Sequence, residues 1–462
     1  MAHDLSLLLP EIAVLLTAVG ALIAEMLRRP RVALAVAVAG LLVASALALD
    51  LLGRDTSVFG GTFRIDALSI WAKLVLLPAT VLCLLLARAD VRGSAREGTV
   101  YSLLCFATIG ALVLAGAGDA MLLVLGTLLT GLATFALVAY PDTEAATEAA
   151  MKFFVFASVT GAVMIFGLTY WFGATGSLLG ELGGLTSMPL AGALGLVAVI
   201  VGLGYKASLV PFHFWAPDAY EGAPVSVAAY LSVVPKIGAM FALAQVARDL
   251  PLATGWVPVV AGLAVATMTY GYLAALVQDN VVRLLAYSSV AQSGYFLLGI
   301  VAVGQSPLAL PALVLFAAAY AAMNLGAFAV VAGSGRTLDA LRGLGRARPV
   351  IGVAMIVFLI SLVGIPPLGG FAGKLLLFAA AIDVEYTWLA VVAIANSVLA
   401  LGVYLRIVVP MYRPGEASTR TRPVGDRGTY AVLMLALLGT VGLGLAAQWL
   451  LGSPGLALPV SP

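Results

Sequence analysis

Residues 202–217 read Gly-Leu-Gly-Tyr-Lys-Ala-Ser-Leu-Val-Pro-Phe-His-Phe-Trp-Ala-Pro. They close a long apolar run and set an ammonium group, Lys206, shortly before a helix breaker, Pro211, with an imidazole, His213, just beyond it. Proline removes a backbone donor and collides with the preceding turn. Non-helical backbone at membrane depth is tolerated only against protein or a watery cavity. The stretch therefore predicts an interrupted membrane helix beside a polar path, rather than a plain anchor.

Working outward, composition sets the class. Apolar residues make up 62% of the 462, and charged residues only 10%, where a soluble domain has about a quarter charged. Mean hydropathy is +1.10. The chain is read as an all-α protein of the lipid bilayer. Its net charge of +2 gives no footprint for nucleic acid. Cys83 and Cys105 lie inside apolar runs and read as small core residues. No cysteine cluster and no Gly-x-Gly-x-x-Gly opens a cofactor site, and only His3 and His213 offer imidazole. No cofactor or metal is expected on this chain.

A membrane helix needs about 20 mostly apolar residues. Charges and Pro/Gly clusters punctuate the chain into about fourteen spans. They run 5–27, 31–52, 66–87, 100–117, 119–140, 151–173, 189–214, 223–247, 256–278, 283–303, 307–332, 349–381, 386–412 and 428–451. The first is too long for a signal peptide and is read as span 1. On the side reached after span 1, the connections hold sixteen Lys and Arg residues, Arg420 and Arg422 among them; the other side holds Arg54, Arg64 and Arg248. That bias makes the richer side cytoplasmic and puts both termini outside.

Five basic residues remain: Lys73, Lys206, Lys236, Lys374 and Arg406. Lys73 and Arg406 lie near helix ends, from which a long side chain can snorkel to water. The other three sit deep, at roughly 2.5–3.5 kcal/mol each on insertion scales. They serve either as interhelical hydrogen-bond donors or as titratable groups on an ion path. A second interruption, Gly364-Ile365-Pro366-Pro367-Leu368-Gly369-Gly370, precedes Lys374 in span 12. Spans 7 and 12 are five apart and so cross in opposite directions. Paired broken helices in two halves point to inverted repeats, spans 4–8 and 9–13. The predicted divisions are helices 1–3 (1–99), a first repeat (100–247), a second repeat (256–412) and a closing helix (428–451). His213 either binds backbone freed at Pro211 or relays a proton. Asp218, Tyr220 and Glu221 are expected to fix the cytoplasmic loop or contact a neighbour, and Glu148 and Lys152 to lie at the interface.

Several runs resemble the antiporter-like membrane subunits of respiratory complex I: GLGYKASLVPFHFWAPDAYEGAPVSVAAYLSVVPKIG (202–238), NVVRLLAYSSVAQSGYFLLG (280–299), YAAMNLGAFAVV (320–331) and SLVGIPPLGGFAGKLLLF (361–378). The lack of a lateral helix after span 14 sets aside the L-type members and leaves the N- and M-types, and LLLPEIAVLLTAVGALI (7–23) and FRIDALSIW (63–71) look most like the N-type. The resemblance implies fourteen helices, two inverted five-helix repeats and broken helices 7 and 12. It implies proton translocation through Lys206, Lys236 and Lys374, in a bacterial inner membrane. An M-type neighbour and a small K-type subunit are the expected partners, with flavin and iron–sulfur clusters on other subunits of the complex.

Three positions depart from the family pattern. Leu128 stands where a helix-5 glutamate usually pairs with the helix-7 lysine, and Asp119 is nine residues away, about 13 Å along a helix. Val282-Arg283 replaces a Lys-Arg pair, and Gln292 replaces a frequent imidazole. The missing glutamate keeps open a purely structural subunit. A related cation/proton antiporter or membrane hydrogenase is the further alternative.

Overall fold

The structure, a computed structural model, describes residues 2–178, 188–414 and 427–447. Arg420, Arg422 and the end of span 14 (448–451) lie outside the described residues. Within them, thirteen helices of 18 to 32 residues are long and apolar enough to cross a membrane. Span 12 is the fourteenth. It is split into Pro349–Val363 and Gly369–Asp383, each 15 residues and too short alone. The expected number of spans and both expected breaks are present.

Polar residues start the helices where the sequence leaves apolar patterning. Asp66 caps Ala67–Val91 by accepting from the Ser69 N–H at 2.8 Å, and Asn280 caps Val281–Ala302. Asp119 and Thr143 do the same for Ala120–Ala139 and Glu144–Thr175. Each supplies one of the acceptors that a helix N-terminus otherwise lacks. A short antiparallel pair, Thr56–Val58 with Phe63–Ile65, closes the connection between spans 2 and 3.

Burial orders the helices around an axis. The most apolar stretch of span 8 (Val225–Asp249) is wholly buried, and those of spans 10 (Val281–Ala302) and 11 (Ala309–Ala332) are 94% buried, against 22% for that of span 6 (Glu144–Thr175). Small residues let backbones meet at this axis. A Cβ at Gly271 would stand 2.6 Å from the Ala291 nitrogen, so spans 9 and 10 touch backbone to backbone.

Lys73 corrects the snorkelling expectation. Its Nζ is fully buried and lies 2.8 Å from Glu11 Oε1 of span 1. A carboxylate on the neighbouring helix neutralises the ammonium where it stands, so the side chain has no need to reach water. Arg406 does reach a helix end. Its guanidinium donates to the backbone oxygens of Ala275, Leu276 and Gln278 and to Asp279.

Candidate functional site

In span 7 the helix Pro189–Ala207 stops at Ser208, whose φ of 58° is left-handed, and the chain resumes as Trp215–Gly222. The reason lies four residues past Ala207. Pro211 has no N–H to close a turn onto the Ala207 carbonyl. Ser293 of span 10 replaces it, its hydroxyl donating to Ala207 O at 2.8 Å. The Trp215 indole donates to Tyr205 O at 2.8 Å, and the Val210 N–H finds Thr267 Oγ1 at 3.1 Å. These partners satisfy the Ala207, Tyr205 and Val210 backbone groups. The His213 ring is buried against Phe214 and Tyr270, with centroids 4.6 Å from each.

Lys206 is buried in the last turn before this break, its Nζ 5.9 Å from the Phe153 ring centroid. Among the described residues no carboxylate pairs with it. The helix-5 position facing it is Gly131, where a Cβ would stand 3.6 Å from Lys206 Nζ. Leu128 is 50% exposed. The motif match had set Leu128 opposite the lysine. Position 131, one turn from 128, is thus the helix-5 glycine that borders the lysine.

The second break repeats the logic with a different donor. Pro349–Val363 ends at Gly364 (φ 94°). Pro366 and Pro367 stand four residues after Leu362 and Val363, so both carbonyls lose their helical donors. Lys374 Nζ supplies both, at 2.9 Å to Leu362 O and 3.1 Å to Val363 O. The ammonium therefore sits at the negative end of the half-helix. It also stands 3.7 Å from the Tyr295 ring centroid, a close cation–π contact. Gly370 and Gly369 let the chain turn back tightly. A Cβ at Gly370 would lie 1.9 Å from Ser361 O, and one at Gly369 would lie 3.1 Å from Thr440 O.

Lys236 lies between the breaks, buried in span 8. Its Nζ donates to Ser289 Oγ at 2.6 Å, and Ser289 Oγ is 2.8 Å from Tyr320 OH. Tyr320 in turn donates to Ser232 O at 2.9 Å. The Tyr220 ring lies 5.7 Å from Lys236 Nζ, so this buried tyrosine borders the lysine instead of fixing a loop. Gln292 donates to Leu362 O at 3.0 Å and to Tyr404 OH at 3.3 Å, and Tyr404 OH is 2.6 Å from Ser288 Oγ.

Span 10 thus touches all three places: Ser289 holds Lys236, Ser293 holds the first break and Gln292 the second. Ser289, Ser293 and Tyr295 were not among the sequence candidates, and Gln292 was noted only as a departure. Their signal is a polar stripe at 288, 289, 292 and 293 on a membrane helix, two pairs spaced four apart.

The carboxylates beyond span 7 do fix a loop. Arg283 Nη1 lies 2.6 Å from Asp218 and 2.8 Å from Glu221, while Lys152 bridges Glu148 at 2.7 Å and Asp218 at 3.2 Å. Burial pushes the Asp218 carboxyl up, but Arg283 and Lys152 outweigh it and hold the group below its ordinary 3.8. Among the described residues no group of three His, Cys, Asp or Glu could hold a metal ion.

Residues 117–400 match a family described as NADH:quinone oxidoreductase/Mrp antiporter, membrane region. The chain is 39% identical to NADH-quinone oxidoreductase subunit N of Mycobacterium sp. (strain JLS), over 86% of each chain. It is also 39% identical to the subunit of the same name from Desulfovibrio desulfuricans, over 97% of this chain and 95% of that one. Among solved structures it is similar to a chain of respiratory complex I from Thermus thermophilus. There the TM-score is 0.86 at 30% identity, over 97% of this chain and all of the other.

Proposed function

The chain belongs to the NADH:quinone oxidoreductase/Mrp antiporter family of membrane subunits, and from that premise we propose that it is the N-type, proton-translocating subunit of a NADH–quinone oxidoreductase. Electron transfer takes place on partner subunits, which carry the flavin and iron–sulfur clusters. This chain moves protons through two half-channels, one in each inverted repeat (100–247 and 256–412). Lys206 serves the first, Lys374 the second, and Lys236 joins them. It sits in a bacterial inner membrane with both termini outside, between an M-type neighbour and a small K-type subunit.

The observation that carries the reading is the run of donors and acceptors along span 10. From Lys236 Nζ a proton has hydroxyl stations at Ser289 and Tyr320, each within hydrogen-bond distance of the next. Toward Lys374, Gln292 and the lysine both donate to the Leu362 carbonyl, which brings span 10 to the second lysine without itself passing a proton. A packed hydrophobic core has no use for such a series, since each buried polar group costs free energy unless paired. His213, buried beside the first break, is the candidate relay on that side.

The test is NADH-driven proton pumping in membranes carrying Lys206→Ala or Lys374→Ala. Loss of pumping with quinone reduction retained supports the reading, and normal pumping in both variants overturns it. One observation favours a second reading, a structural subunit without translocation in its first half: no carboxylate faces Lys206 among the described residues. Under that reading Lys206→Ala pumps normally while Lys374→Ala does not.

A further inference from the structure

We propose that Tyr295 is a positioning residue for proton translocation, its ring face standing in for a counter-ion that holds Lys374 in the protonated form. The inference rests on the translocating role proposed above for Lys374 and names what answers its charge.

No carboxylate on the surrounding helices is placed to do so. Across Trp256–Ala275, Val281–Ala302, Ala309–Ala332, both halves of span 12, Thr387–Tyr412 and Arg427–Leu445, the one Asp or Glu is Asp383. It lies nine residues beyond Lys374, about 13 Å along the helix, and accepts from the Ser306 hydroxyl. The other charged groups on these helices are Arg283, Arg406 and Arg427, all toward the cytoplasmic ends. Tyr320 of span 11 and Tyr404 of span 13 have their hydroxyls within hydrogen-bond distance of Ser289 and Ser288, and Tyr430 stands in the first turn of span 14.

What does meet the ammonium is an aromatic face. Lys374 Nζ stands 3.7 Å from the Tyr295 ring centroid, well inside the roughly 6 Å over which a ring quadrupole attracts a cation. The ring is fixed from its far end. Its hydroxyl donates to Ala393 O at 3.0 Å and lies 2.9 Å from Ser397 Oγ, both on span 13.

The contacts of Lys374 separate its two protonation states. An ammonium has three N–H donors. The Leu362 and Val363 carbonyls take two, at 2.9 and 3.1 Å, and the third is left for the ring. A neutral amine keeps two N–H groups for the same carbonyls and turns its lone pair to the negative face of the ring. The carbonyls thus serve both states, and the ring favours only the charged one. The pairing recurs at longer range in the first half, where Lys206 Nζ lies 5.9 Å from the Phe153 ring and Lys236 Nζ lies 5.7 Å from the Tyr220 ring.

The test is the number of protons pumped per electron by the intact complex in proteoliposomes, followed against pH. It compares wild type, Lys374→Ala, Tyr295→Phe, Tyr295→Leu and phenylalanines at position 295 that carry increasing numbers of ring fluorines. Fluorine drains the negative face while the ring keeps nearly the same shape, so a packing role does not follow it. Losing the ring lowers the proton affinity of Lys374 about tenfold or more, so in Tyr295→Leu the alkaline limit of pumping should fall by about one pH unit or more. Tyr295→Phe should stay near wild type, and the fluorinated rings should move the limit down stepwise between the two. Should Tyr295→Leu fail to assemble, the fluorinated series alone decides. A limit that does not move with fluorination, while Lys374→Ala abolishes pumping, overturns this inference and leaves the translocating role standing. Normal pumping in Lys374→Ala overturns both.

Discussion

Replacing Ser293 by alanine isolates the device that holds the first break. The substitution removes one hydroxyl, 2% exposed in side chain and backbone together, and leaves little space behind. It strips the Ala207 carbonyl of the donor that stands in for the one Pro211 cannot provide. Leaving a buried acceptor unpaired costs about 1–3 kcal/mol. That cost falls on the last turn of Pro189–Ala207 and on the segment after it. Their opening equilibrium should therefore rise by about 5- to 150-fold. Hydrogen exchange of the intact complex, followed by mass spectrometry over peptides covering 203–216, reads this directly. Ser334→Ala is the control, since that hydroxyl donates only to Val330 O of its own helix. Exchange in 203–216 that matches the wild type, or that rises equally in the control, would refute the claim that span 10 supplies the missing donor.

Other outcomes follow from the same contacts. Lys73→Met leaves Glu11 buried beside an apolar chain and should cost about 3–5 kcal/mol, whereas adding Glu11→Leu should recover most of it; denaturation midpoints of the four proteins complete the cycle. Ser289→Ala takes the hydroxyl from Lys236 and should lower NADH-driven pumping several-fold at unchanged assembly, with Ser289→Thr retaining it; equal pumping in both removes Ser289 from the path. Gly370→Ala would force a Cβ to within 1.9 Å of Ser361 O, so backbone must shift at a cost of roughly 1–3 kcal/mol or more; reduced subunit levels in the membrane measure it. Asp218 is held below 3.8, so its ion pairs stabilise the fold at every pH above that value and are lost as pH falls through the lowered one. The stability gap between wild type and Asp218→Asn should be constant from pH 5 to pH 8 and close only below 3.8.

Much of this was legible in the chain itself. Length and apolar runs set the spans because lipid admits only internally bonded backbone, and the two proline breaks stand where the sequence puts them. The deep lysines were visible because burying each is costly. What was not legible is which face of a uniformly apolar helix turns inward. Span 10 is buried all round, so its apolar pattern has no direction to read, and Ser289 and Ser293 gain their meaning only from what they meet. The same blindness hid Gly131. A motif fixes position along a helix, but the angle around it comes from packing, which sets Gly131 beside Lys206. Lys73 was misread because its partner, Glu11, lies two helices away in sequence.

Gln292 and Ser293 are consecutive, so they leave their helix about 100° apart, and each grips a different broken span. That arrangement makes span 10 a single shaft carrying two cams. A turn of the shaft that lifts Ser293 off Ala207 moves Gln292 through the same angle against Leu362. The two halves cannot then be set independently. If span 10 turned as a rigid unit, a displacement at one break would be carried to the other along this one helix.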